Sequence, residues 1–104
     1  MDQLEMLRKK AIFQGARRAM LENEAFLREY VTNCLPESYG LDELERLNVM
    51  LEKIFDNDLF DVIMGNKKTE DFEGMYDQQL LKDIEIYAAK QRELVKQGKG
   101  KLDM

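Results

Sequence analysis

The residues best suited to chemistry are the cations and carboxylates of segment 15–24, GARRAMLENE. Arg17 and Arg18 carry guanidinium groups, which form strong charge-assisted hydrogen bonds with anionic partners. Glu22 follows Arg18 by four residues, so the two side chains lie on one face if the segment is helical. An exposed pair in this order stabilises a helix by only about 0.3 kcal/mol. We therefore consider the segment a candidate recognition site.

The position of the two arginines also favours a functional interpretation. A helix is predicted over 16–32, which places Arg17 and Arg18 near its start. The positive end of a helix dipole disfavours cations there by some tenths of a kcal/mol. A placement that lowers local stability invites an explanation in terms of function.

Other patterns fit known ligand sites poorly. Segment 56–65, DNDLFDVIMG, has carboxylates at calcium-loop spacing, but Phe60 and Asp61 occupy positions that require an oxygen ligand and a turn glycine. A helix cap is the better interpretation. The GKGK of 98–101 lacks the context of a phosphate-binding loop, and Gly15 lacks the companion glycines of a dinucleotide fingerprint. We expect no metal or FAD site within this chain.

Composition limits the classes of function. The 104 residues predict one domain with a modest core, and 16 basic against 21 acidic residues give a net charge of -5, which disfavours nucleic-acid binding. The chain has no histidine and one cysteine, Cys34, so zinc binding and nucleophilic catalysis lack their usual residues. We expect no enzymatic activity. A single thiol and no long apolar run suggest a cytoplasmic protein.

Apolar residues recur at helical spacing, which predicts an all-α class: a compact, five-helix, bundle-like single domain over 1–95 with a mobile tail at 96–104. Asp2 is the expected cap of the first helix, and residues 56–58 are the expected caps of the fourth. Phe60 is expected in the core, and residues 66–75 are expected to form a loop with about one helical turn. The first predicted helix follows Asp2 and ends near Gly15, and the others cover residues 16–32, 41–54, 59–64 and 77–95. The expected apolar stripe of the second helix is Met20, Leu27 and Val31, with Phe26 and Tyr30 beside it. The expected apolar face of the third helix is Leu44, Leu47, Leu51 and Ile54.

Within this helical frame, Arg18-Ala19-Met20-Leu21-Glu22 resembles the Arg-Gly-x-x-Glu signature of the succinate dehydrogenase FAD assembly factors, the SdhE type. The similarity continues through Asn23 and Glu24. It reappears at 56–60, which is similar to the family's acidic turn followed by Asp-Leu-Phe. One departure is Ala19, which adds a methyl group in place of the family's glycine and favours helix by about 1 kcal/mol.

The resemblance implies an assembly factor that binds the flavoprotein subunit of succinate dehydrogenase, or of fumarate reductase, and promotes covalent attachment of FAD. The FAD belongs to that partner, whose own histidine forms the bond. Arg18 is expected to donate hydrogen bonds to the partner and Glu22 to orient Arg18, while Asp58 caps the fourth helix or reaches the interface. The implied partner-binding residues are Arg17, Arg18, Ala19, Glu22, Asn23, Glu24 and Asp58.

Two alternatives remain open at this point. Some relatives of this family act as the antitoxin half of a toxin–antitoxin pair, which is also a protein-binding role. A nucleic-acid-binding helical regulator would use the second and third helices as a helix-turn-helix, but the third helix is acidic. Heavily charged faces suggest a monomer when the protein is free. The choice of partner flavoprotein, the affinity and the release step are left open.

Overall fold

The computed structural model describes residues 2–16 and 18–96, and in these ranges it has five α-helices and no strand. The all-α prediction is therefore confirmed. The chain divides into two compact units, residues 1–54 and 55–104, which we describe separately. Of the predicted tail 96–104, Lys96 is the last residue of α5, and residues 97–104 lie outside the described residues. The elements are α1 (Gln3–Ala16), α2 (Leu21–Glu29), a π-helical turn (Tyr30–Cys34), α3 (Leu41–Lys53), α4 (Asp56–Met64), a 3-10 turn (Thr69–Phe72) and α5 (Gln78–Lys96).

Helix α1 begins as predicted, because the Glu5 amide donates a hydrogen bond of 2.7 Å to Asp2 Oδ1. It packs against α2 and α3. Gly15 is buried near its end, and a Cβ atom there would lie only 3.0 Å from Leu27 Cβ. The absence of a side chain at Gly15 thus lets α1 approach α2 closely.

Helix α2 is shorter than predicted, since it begins at Leu21 instead of residue 16. Met20 precedes it in an extended conformation, and residues 19 and 20 form a bend. The apolar stripe is nevertheless confirmed at its centre, where the Phe26 and Tyr30 rings stack with centroids 6.0 Å apart. The buried members of the stripe are Phe26, Leu27, Tyr30 and Val31.

Helix α3 matches its prediction within one residue. Glu43 accepts a 2.9 Å hydrogen bond from the Gly40 amide and so caps the first turn. Asn48 links α3 to α1, because its Nδ2 donates to the carbonyls of Leu7 (3.1 Å) and Leu44 (3.0 Å). The predicted apolar face is buried at Leu44, Leu47, Leu51 and Ile54.

In the second unit, α4 begins at Asp56, so residues 56–58 form its first turn and are not its cap. Carboxylates there still favour the helix through its dipole. Leu59 and Ile63 are fully buried, whereas Phe60 is only half-buried, which corrects its assignment to the core. The other side of the unit is formed by α5, which packs on α4 and on the 3-10 turn.

Two contacts fix the ends of the 66–77 connection. Phe72 is buried in the predicted single turn, and Thr69 donates from both its amide and its hydroxyl to Glu85 on α5, each at 2.7 Å. Asp77 caps α5 by accepting a 3.1 Å bond from the Leu80 amide. The connection is therefore held by its own polar groups as well as by the buried ring.

We expect Gly65→Ala to destabilise the protein more than Gly74→Ala. Both glycines have positive φ, 81° and 83°, where a side chain adds strain of about 1–2 kcal/mol. Of these two positions, only at Gly65 would the added Cβ meet another group, since it would lie 2.8 Å from Arg92 Nη2. The methyl group would therefore push the Arg92 guanidinium away from the Ile63 carbonyl, to which Arg92 Nη1 donates a hydrogen bond. Chemical denaturation checks the order; equal losses for the two variants would contradict it.

We also expect acid to weaken the contact between α5 and the 3-10 turn. Burial disfavours the charged form of Glu85, but hydrogen bonds from Thr69 and Lys82 outweigh it and hold its pKa below the ordinary 4.5. The ionised carboxylate therefore contributes stability above that pH, and the contribution is lost as pH falls through the lower folded pKa. Glu85→Gln should lower stability at neutral pH by roughly 1 kcal/mol.

Urea titrations from neutral pH to pH 3 should show less further loss on acidification for Glu85→Gln than for the wild type. Glu93→Gln is the matched control, because Glu93 lies exposed on the same helix. An acid response of Glu85→Gln equal to that of the wild type would contradict the assignment.

Candidate functional site

The candidate segment occupies the connection between α1 and α2 together with the first turn of α2. Arg17 lies outside the described residues. Arg18 precedes the bend, and its amide donates to the Gly15 carbonyl at 3.3 Å. The described part of the segment is thus a tight turn that leaves one helix and enters the next.

The Arg18 guanidinium is held at the carboxyl end of α3. Its Nη1 donates to the Ile54 carbonyl at 2.5 Å, and its Nη2 donates to the Leu51 carbonyl. The last helical hydrogen bond of α3 runs from the Ile54 amide to the Met50 carbonyl. The carbonyls of Leu51 and Ile54 therefore lie beyond the helical ladder, at the negative end of the dipole, where a cation is favourable.

This arrangement corrects the argument from the helix dipole. The Arg18 guanidinium does not lie in the first turn of α2, where a cation would be unfavourable. It lies at the last turn of α3, where a cation stabilises the helix. Its placement alone is therefore no evidence for function. Arg18 and Glu22 also do not share a helical face, because α2 begins at Leu21 and Arg18 precedes it.

The residues after Arg18 reach the surface. Ala19 is exposed in the bend, so the gain in helix propensity expected for alanine over glycine does not apply at this position. Leu21 is the first residue of α2 and is 75% exposed, so it offers apolar area at the surface. Glu22 is half-buried beside it. Ala19, Leu21 and Glu22 form the exposed part of the site.

Asn23 and Glu24 have different positions from each other. The Asn23 side chain is 0% exposed, and its Nδ2 lies 3.8 Å from the Met20 sulfur, so it packs beneath the turn and does not extend the surface as predicted. Glu24 is at the surface and forms an ion pair with Arg28, one helical turn further on. Of these two predicted contact residues, only Glu24 is accessible.

Asp58 lies in the second unit, in the first turn of α4. Its Oδ2 accepts a hydrogen bond of 2.6 Å from the Tyr76 hydroxyl, whose oxygen in turn lies 3.4 Å from the Phe55 amide. The carboxylate thus orients a tyrosine instead of capping its own helix. Phe55, next to it, exposes most of its ring.

Sequence reasoning missed the carbonyl acceptors of Arg18 and the exposure of Leu21. The acceptors are backbone atoms more than 30 positions away, and no side-chain pattern marks them. Leu21 carried a weak signal, since it falls outside the stripe formed by Phe26, Leu27 and Val31. Within the described residues, no group of three acidic or cysteine side chains is arranged to hold a metal ion.

Comparison with protein families decides the relationship. A family model described as the flavinator of succinate dehydrogenase matches residues 9–88. The chain belongs to this family. The predicted resemblance is confirmed, and the family is one of succinate dehydrogenase assembly factors that act in flavination. No curated protein and no solved structure gives a significant match. No helix among the described residues has the length and apolar character needed to cross a membrane.

We expect Ala19→Gly to alter stability only slightly. Ala19 lies in a bend outside the helices, and no described non-glycine residue has positive φ, so glycine offers no relief of strain there. The variant should be less stable by roughly 0.4–1 kcal/mol, because glycine gives the unfolded chain more freedom. Thermal unfolding tests this; a stabilised variant would show that the methyl group is strained in the turn.

Proposed function

We propose that this flavinator-family protein binds the flavoprotein subunit of succinate dehydrogenase and promotes covalent attachment of FAD to it. The observation that carries the proposal is the family match over residues 9–88, which includes the whole Arg18–Glu22 signature. The geometry supports it, because the signature forms a turn whose outer side chains are exposed and whose inner ones are anchored.

In this proposal the contact surface consists of Ala19, Leu21 and Glu22, with Glu24 at its edge. Leu21 provides apolar area, and Glu22 provides a carboxylate that can accept charge-assisted hydrogen bonds from the partner. Asn23 acts from inside by supporting Met20. The predicted contacts of Arg17 and Asp58 with the partner remain part of the proposal.

The protein contributes position and not reactive groups. FAD is carried by the flavoprotein, which supplies the residue that becomes attached, and the factor stabilises the arrangement in which the two meet. Correct placement of reacting groups can lower a barrier by several kcal/mol, on the order of 7–11 kcal/mol in well-oriented systems. This role needs no histidine, and this chain has none.

Three further points extend the proposal. The fumarate reductase flavoprotein is a second candidate client, because Ala19 replaces the signature glycine at the contact surface. The site of action is the cytoplasm, and the factor is a monomer when free.

The test is covalent flavin in the flavoprotein subunit, expressed with and without this protein and read as fluorescence after denaturation. We expect fluorescence to rise when the factor is present, since only attached flavin survives denaturation. No rise with the succinate dehydrogenase or the fumarate reductase flavoprotein would contradict the proposed function.

Glu22→Lys should remove most of that rise, because the substitution places a cation in the contact surface. Glu45→Lys is the matched control, since Glu45 is an exposed glutamate of the same unit, on α3. Circular dichroism should show both variants folded. Equal covalent flavin with Glu22→Lys and Glu45→Lys would remove Glu22 from the contact surface.

A further inference from the structure

The Arg18 side chain anchors the turn between α1 and α2 to α3. Arg18 reaches the carbonyls of Leu51 and Ile54 with two different guanidinium nitrogens. Both acceptors belong to the last turn of α3 and its end, which is itself fixed by the buried side chains of the same two residues. The turn is therefore attached to a rigid part of the first unit.

The same turn is also fixed where it leaves α1. Gly15 packs so closely on Leu27 that a Cβ atom would lie 3.0 Å from the leucine Cβ, and the Gly15 carbonyl accepts the Arg18 amide. Arg18 lies between this close contact and the start of α2, and its guanidinium donates the hydrogen bonds to the Ile54 and Leu51 carbonyls. Ala19 and Leu21, which follow it, are exposed.

We propose that Arg18 is a positioning residue for flavoprotein binding. It acts through Ala19, Leu21 and Glu22, which it holds in the conformation that the partner recognises, and not by donating hydrogen bonds to the partner itself. This inference rests on the proposed function and replaces the direct contact that the signature suggests for the arginine.

The chemistry of the side chain explains why arginine is required. A planar guanidinium has several N–H donors in a fixed fork and can serve two carbonyls at once, whereas a lysine ammonium is a compact point charge on a flexible stem. Replacing Arg18 by lysine keeps the charge but weakens the anchor. If the turn then spends about a tenth of its time in the competent conformation, the affinity for the partner falls about tenfold.

The experiment measures the affinity of the full-length factor for the purified flavoprotein subunit by calorimetry, at low and high salt. The variants are Arg18→Met and Arg18→Lys. Arg92→Met is the matched control, because Arg92 binds the Ile63 carbonyl at the end of α4 in the second unit. Each affinity is calculated from the concentration of folded variant, so that a loss of stability is not mistaken for a loss of binding.

We expect Arg18→Lys and Arg18→Met to weaken binding by a similar factor, about tenfold, at both salt concentrations. Amide hydrogen exchange in the free factor should become faster across residues 19–23. Arg92→Met should bind as the wild type does. The factor is expected to be the same at both salt concentrations because the arginine donates hydrogen bonds to backbone carbonyls and does not pair with a charge of the partner.

Several results would overturn the inference. A direct charge contact with the partner would be indicated if Arg18→Lys bound as the wild type does while Arg18→Met bound more weakly, with a difference seen at low salt and not at high salt. Faster exchange with unchanged affinity would make Arg18 merely structural, and an equal loss for Arg92→Met would indicate a global effect. Absence of binding by the wild type would contradict the proposed function itself, whereas wild-type binding that is indifferent to Arg18 contradicts only this inference.

Discussion

The interaction on which the site depends is the one between the Arg18 guanidinium and the carbonyls that end α3. No amide of the helix donates a hydrogen bond to these carbonyls, so the half-buried end of α3 needs a hydrogen-bond donor from another part of the chain. The arginine supplies it and simultaneously fixes the turn that carries the family signature. One side chain thereby serves the stability of the first unit and the shape of its exposed surface.

This dual role changes how the signature is understood. In a linear pattern, the arginine and the glutamate look like a charged pair directed at a partner. In the folded protein, the arginine points inward to the backbone, while Glu22 stays at the surface beside the exposed Leu21. The proposed contact surface is therefore more apolar than the sequence suggests. An apolar contact with one carboxylate is well suited to holding a partner in place.

Most of the fold was predictable, because α3 and α5 carry clear apolar periodicity. Side-chain caps at Asp2, Glu43 and Asp77 mark the starts of α1, α3 and α5. The start of α2 was not predictable, since Met20 offers no capping oxygen and residues 16–20 contain no proline or glycine to end a helix. The position of Asn23 inside the unit and the acceptors of Arg18 depend on tertiary packing, which spacing along one helix does not report. The family signature located the site, but its inner and outer residues could be separated only in three dimensions.

In the proposed function, this protein holds the flavoprotein subunit in place, and the flavin is bound and attached by the flavoprotein. The most direct measurement reconstitutes attachment from purified flavoprotein subunit, FAD and this protein, and then separates the two chains under denaturing conditions to locate the fluorescence. We expect flavin on the flavoprotein subunit alone, faster attachment when this protein is present, and recovery of this chain unmodified. Flavin retained on this chain, or attachment at the same rate without it, would contradict the account.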